Sequence, residues 1–508
     1  MKVFLILMVV AVVSGARADK VQSVELNGVS QSFYHFINSG QNRMMPLNDG
    51  MVSLQVRLDL LNKAKAGDRV ALEYFIYRLD RSAKLLTQAL IKASERGADV
   101  KILVDKGLTT FELNKFVAAE LEKRGIETKY YNSLLPFPSH VSTLQFRNHR
   151  KLFLVKNEAI VGGRNIGDEY FGMHSEYNFD DRDVLVSGPI VDTIYDSFME
   201  FWNNDLSRSP FAPAKPGFNA NNRQGSRAQQ RRFEWNQERA EQFITETNED
   251  RQLLAEIESK TRNIIDNKKT YRCPVTTFVS DEPGATFFKR MRRDFRDEHK
   301  HVRKVLFEKA NAARESVLIA SPYFIQNRKT ESLISNVINH GHRAKVEVFT
   351  NSLAATDHMI VSAALYNDLE NILNQGVQLY LHSGDETQGN LTLDDVKDSA
   401  WGVHSKTMVF DAETPEQSEV FIGTYNVDNR SDFYNAEMGI FCKGNPEFTA
   451  EVEASIRQRM DTGFKVLDTK TAVDSDGNHM HPKGDVTRAK KRKLFLYYLP
   501  AWMLEFLL

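Results

Sequence analysis

The sequence predicts an α/β fold made of two like lobes that share one site. Three observations carry this expectation. A strand–helix–strand layout occurs twice, a His-x-Lys follows some eighty residues after each first strand, and each His-x-Lys leads to a Gly-x-x-Asn. Strands alternating with helices imply βαβ units and a mainly parallel sheet.

In chain order, Lys2 precedes the apolar run Val3–Val13, and Ala16-Arg17-Ala18 follows. Eleven apolar residues are too few for roughly 30 Å of hydrocarbon. Small residues two apart are what a signal peptidase accepts, so residues 1–18 are expected to be a cleaved signal. The protein is then periplasmic or extracellular. Residues 19–46 form an N-terminal arm and 47–205 the first lobe. There Gly67–Tyr77 is an apolar strand, and Leu85, Leu86, Ala89, Leu90 and Ala93 recur at helical spacing. Gly97 ends that helix before the strand Val100–Asp105. Residues 206–299 are polar, with Pro210, Pro213 and Pro216 followed by charged, helix-like sequence, and are expected to be a connector or insert to which no chemistry is assigned. The second lobe, 300–470, repeats the layout with Glu315–Ile325, Glu331–Asn339 and Ala344–Thr350. The tail, 471–508, carries Arg488 and Lys490-Lys491-Arg492-Lys493 before fifteen mostly apolar residues that include Tyr497, Tyr498 and Trp502. It suits the surface of a membrane, where cations and aromatic rings are favoured, and it suits folding back onto the body equally well. Pro500 and Glu505 argue against a spanning helix.

Composition narrows the function. With 42% hydrophobic and 26% charged residues the chain is neither disordered nor a multi-span membrane protein. Its net charge of −1, or −3 without Lys2 and Arg17, supplies no basic field, so no stable nucleic-acid partner is expected. Cys273 and Cys442 can form at most one bridge. No obligate protein partner is legible.

The chemistry lies in the repeat. His149-Arg150-Lys151 precedes Gly162-Gly163-Arg164-Asn165, and His404-Ser405-Lys406 precedes Gly423-Thr424-Tyr425-Asn426; the histidines stand 79 and 87 residues after Val70 and Val317. Residues two apart on a strand share a face. Two such strands side by side would place two imidazoles, two ammonium groups and two amides around one phosphate. A neutral imidazole can attack phosphorus while a protonated one supports the leaving oxygen, provided their environments hold the two pKa values apart. The lysines carry the neutralising charge, so no metal and no cofactor are expected.

At these residues the sequence resembles the phospholipase D superfamily, whose signature is His-x-Lys-x4-Asp followed by Gly-Ser-x-Asn. Ser321-Pro322-Tyr323-Phe324, the stretch Thr350–Asp357 and the stretch Gly162–Phe171 are similar to the C-type bacterial cardiolipin synthases within it, over roughly 47–205 and 300–508. The resemblance implies two α/β/α lobes, one active site between them, and a phosphohistidine intermediate. It implies transfer of a phosphatidyl group to an alcohol or water, with phosphatidylglycerol or phosphatidylethanolamine as the phospholipid substrate. It makes His149 the nucleophile, His404 the general acid, and Lys151, Lys406, Asn165 and Asn426 the phosphate clamp. Asp183 and Glu437 look like the carboxylates that orient the histidines, and Asp411 and Thr424 support the second motif. Two departures stand out: Lys156 replaces the first motif's Asp, and Gly163 its Ser. The rival readings are a secreted nuclease or phosphodiesterase and a catalytically impaired lipid- or anion-binding homologue.

Overall fold

The computed structural model describes residues 24–26, 29–31, 35–107, 113–133, 146–217, 223–284, 299–386, 389–396 and 398–504. The proposed signal, 1–18, and the last four residues lie outside them.

Two mixed sheets organise the chain. The first runs, in spatial order, Ser207–Arg208, Ile126–Tyr131, Asp99–Asp105, Arg69–Tyr74, Leu152–Val155, Glu158–Gly162, Asp183–Ser187, Arg43–Leu47, Tyr271–Arg272. The second centres on Gln378–His382, Lys345–Asn351, Ser316–Ala320, Thr407–Phe410, Glu419–Gly423, Met438–Lys443 and Val275–Ser280. In each, the strands joined through helices are parallel, and those after the His-x-Lys are antiparallel. The expected mainly parallel sheet needs correcting: among the described residues two pairings in each sheet are parallel and the rest antiparallel. A short turn such as Lys156-Asn157 can join only antiparallel neighbours, because a parallel return needs a long crossover.

Side chains alternate along the central strands. Val70, Leu72 and Tyr74 face the outer helices Gly50–Lys63 and Arg81–Glu95, whereas Ala71 faces a core shared by both sheets. In the second lobe Val317 and Ile319 face outward and Leu318 and Ala320 inward. The helices Ile190–Asn203 and Pro446–Asp461 fill the shared layer with Phe198, Phe201, Val452 and Ile456. One continuous core thus locks the lobes together.

Three segments outside the two lobes also take part in the fold. The 206–299 stretch is no bare connector. Its helices Arg223–Ile244 and Asn248–Asp266 bury Ala240, Ile244 and Ile257 in the first lobe, and its strand Val275–Ser280 belongs to the second sheet. Charged residues outnumber apolar ones in these helices, but Ala240 and Ile244, and Leu253, Leu254 and Ile257, recur at helical spacing and pack inward while Trp235 and Ile264 stay exposed. The N-terminal arm is likewise structural: His35–Ser39 joins the second sheet and Arg43–Leu47 the first. A disulfide between Cys273 and Cys442, with Cα atoms 5.5 Å apart, closes the passage between them. The tail adds strands Ala472–Asp474 and His479–Met480 to the second sheet, then forms the helix Arg488–Leu504.

Candidate active site

His149-Arg150-Lys151 leads into the hairpin Leu152–Val155/Glu158–Gly162, and His404-Ser405-Lys406 into Thr407–Phe410/Glu419–Gly423. The strands that follow are buried throughout, which fixes where each His and Lys emerges; all four are themselves buried. Each histidine is positioned by the opposite lobe. The His149 N–H donates to the Ala436 carbonyl at 2.9 Å, and the His404 N–H to the Asp180 carbonyl at 2.8 Å. The next residue after each acceptor is an acid. Glu437 accepts from His149 Nδ1 at 2.9 Å, and Asp181 from His404 Nδ1 at 2.6 Å.

Asp181 therefore takes the place expected for Asp183. The strand registers say why. Asp183 lies opposite Gly162 and Gly439 opposite Gly423, so Asp183 corresponds to Gly439, and Asp181 to Glu437. Asp183 instead accepts from Arg57 at 2.9 Å, Arg164 at 3.3 Å and Ser53 at 2.8 Å, all buried. Alignment on the buried strand residues Val184 and Ile440, rather than on the first acid met, is the signal that finds Asp181.

The environments of the four groups differ. Burial first, then the charges of Lys151, Lys406 and His404, hold the His149 imidazole well below its ordinary pKa. Burial and Lys406 push His404 down to about 4, opposed by Asp181. Burial disfavours the Asp181 carboxylate, but His404, Lys406 and Arg164 outweigh it and hold that carboxyl below the usual range. Burial pushes Glu437 up to about 7 against the pull of Lys151. Burial and Lys406 push Lys151 down to about 7, and burial brings Lys406 to about 8. The cross-lobe hydrogen bonds of both histidines bring the two motifs together, and each motif's charges act on the other's groups.

Supporting residues fill in the rest. Glu437 accepts from the Thr424 hydroxyl at 2.5 Å and from the Ser431 hydroxyl at 2.8 Å, so the second motif's hydroxyl helps hold the carboxylate on His149. Gly163 occupies the matching place in the first motif, where a Cβ would overlap the Asp181 carboxylate. Asn165 donates to Tyr170 at 2.9 Å and accepts from the Ile76 N–H. Among the described residues nothing hydrogen-bonds the buried Asn426 Oδ1. Asp411 accepts from the N–H groups of Arg314 and Glu315 at 2.8 Å, a scaffold role. Lys156 takes the same left-handed turn position, φ 56° against 50°, and reaches Asp68 at 3.6 Å. The substitution therefore falls on the frame, not on the site. The sequence reading missed Phe179 and Tyr170, whose rings pack on His404 with centroids 4.7 and 5.2 Å away. Among the described residues no group of three or more His, Cys, Asp or Glu side chains could hold a metal ion.

A family model described as "Cardiolipin synthase, PLD-like domain" matches residues 58–202 and 306–460. The chain belongs to that family. The PLD-like domain thus occurs twice, one copy to each lobe, and each copy contains one His-x-Lys. Cardiolipin synthase C of Escherichia coli K12 is 29% identical over 413 residues, covering 79% of this chain and 81% of that protein. An uncharacterised protein of Helicobacter pylori 26695 is 27% identical over 449 residues, 85% of this chain and 82% of its own. The crystal structure of phosphatidylserine synthase from Haemophilus influenzae shares the fold, with a TM-score of 0.58 at 12% identity over 92% of this chain and 95% of that one.

Proposed function

We propose that this protein is a phosphatidyltransferase of the phospholipase D type, cardiolipin synthase-like, working at a membrane surface. The observation that carries the reading is the reciprocal pairing of His149 with Glu437 and His404 with Asp181, with Lys151 and Lys406 between them. His149 donates Nδ1–H to Glu437, which leaves the Nε2 lone pair for phosphorus. Attack forms the N–P bond as the bond to the headgroup oxygen breaks. The anionic phosphate, once bound, adds its charge to that of Asp181 and favours the protonated form of His404. His404 then gives its proton to that oxygen, while the lysines with Asn165 and Asn426 hold the non-bridging oxygens. In the second half neutral His404 takes the proton of an acceptor alcohol, whose oxygen attacks phosphorus and frees His149.

What supports the surface reading is the C-terminal helix, which has two apolar faces. Leu494, Ala501 and Tyr498 pack against the helix Met359–Asn374. Phe495, Leu499 and Trp502 point away, 74%, 64% and 68% exposed, and Arg488, Lys491, Arg492 and Lys493 are exposed in the preceding, N-terminal part of the same helix. The tail thus folds back and still exposes an apolar stripe, which supports contact with lipid. No helix among the described residues is long and apolar enough to cross a membrane. The 273–442 disulfide agrees with an oxidising compartment and so supports export.

The test is incubation with vesicles of phosphatidylglycerol or phosphatidylethanolamine, and with single-stranded DNA, products being scored by mass spectrometry. Phosphatidyl transfer supports the reading, and DNA cleavage without lipid turnover overturns it. Phe495→Ser, Leu499→Ser and Trp502→Ser together are expected to release the protein from anionic vesicles in co-sedimentation. Turnover of vesicle lipid should fall at least ~10-fold, since surface apolar area and cations concentrate the enzyme on its substrate. The rate on a short soluble diester should stay within about twofold; equal loss on both substrates would assign the stripe to the fold.

A further inference from the structure

The stretches Ser321–Phe324 and Thr350–Asp357 have no part in the chemistry above, yet the fold delivers both to the His404 side of the site. Asn351 is the tie. Its side-chain amide donates to the Pro322 and Val403 carbonyls at 3.1 and 2.8 Å and accepts from the Val403 N–H at 2.7 Å, so both stretches are stitched to the residue before His404. Beyond Asn351, the Ser352 hydroxyl accepts from the Ala354 and Ala355 N–H groups. Tyr177, on the strand that leads to Asp181, donates to the Ala355 carbonyl at 2.5 Å. Lys490 of the C-terminal helix donates to the Ala354 carbonyl at 3.1 Å. The loop is thereby held between the strand that precedes Asp181 and the helix that carries the exposed apolar stripe.

At its end stands Asp357. The Tyr323 hydroxyl donates to both of its carboxylate oxygens, at 3.3 and 3.2 Å. Asp181 and Glu437 are sealed at 0% side-chain exposure, whereas Asp357 keeps 22%. Burial raises Tyr323 and Tyr170 and lowers Lys406; the Asp357 charge adds to the first two shifts and opposes the third. His358 Nε2 lies 3.5 Å from the same carboxylate on its exposed side. A carboxylate so placed opposes an anionic phosphate unless a donor, such as one on the substrate, pairs with it. Tyr323 fixes the carboxylate and leaves lone pairs for such a donor.

We propose that Asp357, steadied by Tyr323, recognises the phospholipid headgroup by accepting from a hydroxyl or ammonium that lies beyond the oxygen served by His404. The proposal rests on the phosphatidyltransferase reading and names the donor class: a lipid whose headgroup carries a hydrogen-bond donor, as glycerol and ethanolamine do. Rates are measured on vesicles holding phosphatidylglycerol, phosphatidylethanolamine or phosphatidylmethanol, whose headgroup has no donor. Asp357→Ala is expected to lower kcat/KM for the first two, relative to phosphatidylmethanol, at least ~10-fold. Asp357→Asn keeps an acceptor oxygen without charge, so it should impair phosphatidylethanolamine more than phosphatidylglycerol. Tyr323→Phe should move the same ratio less. Lipid turnover with an unchanged ratio in Asp357→Ala and Asp357→Asn overturns the role of Asp357. No turnover of any phospholipid by the unaltered protein overturns the phosphatidyltransferase reading and this role with it.

Discussion

His149→Ala and His404→Ala are each expected to lower turnover at least ~10²-fold on lipid and on a small soluble diester alike, because each removes a group that bonds or protonates a reacting atom. The pH profile of kcat/KM should carry the same signature. On the alkaline side Lys151, at about 7, and Lys406, at about 8, lose the charges that hold an anionic phosphate, so the rate falls as pH rises through that window. On the acid side Glu437, at about 7, takes up a proton and can no longer stabilise a charged His149. The profile is then a narrow bell near neutrality. Glu437→Gln should erase the acid limb and keep the alkaline one. A profile flat from pH 6 to 9, or an active double histidine variant, would sink the site assignment.

Asp181→Asn and Asp183→Ala are expected to fail in different ways. Asp181→Asn keeps the shape but offers His404 an amide in place of a charge, so turnover should fall by about 10²- to 10⁴-fold with the protein folded. Asp183→Ala strands Arg57 and Arg164, both buried, without their shared carboxylate. Loss of one partner from a buried ion pair costs about 3–5 kcal/mol. Denaturant melts followed by circular dichroism, beside rates per folded molecule, separate the two. A stable Asp183→Ala protein without turnover would return the orienting role to Asp183.

The contrast between these two acids shows where reading along the chain stops. His149, Lys151, Asn165 and their partners His404, Lys406 and Asn426 are legible because each set is local, and its repetition at matching places is what chance does not supply. Asp181 and Asp183 are two apart, so strand parity puts both on one face and cannot choose between them. The choice is made by register, through Gly162 opposite Asp183 and Gly423 opposite Gly439. Tyr170 and Phe179 were illegible for a related reason: aromatic residues in a buried stretch look like core until a ring from the other lobe is set against them.

The sequence by itself determined the α/β class, the twofold layout, and the buried strands that present each His-x-Lys, because hydrophobic periodicity and short motifs act over a few residues. It also marked the tail as basic and apolar. Only the tertiary structure decided that each histidine takes its carboxylate from the opposite lobe, since those partners are 288 and 223 residues apart and nothing local couples them. The charged 206–299 stretch and the two-faced terminal helix follow the same rule. Whether a few apolar side chains on a charged helix are core or surface depends on what packs against them, and that is settled only when distant segments meet.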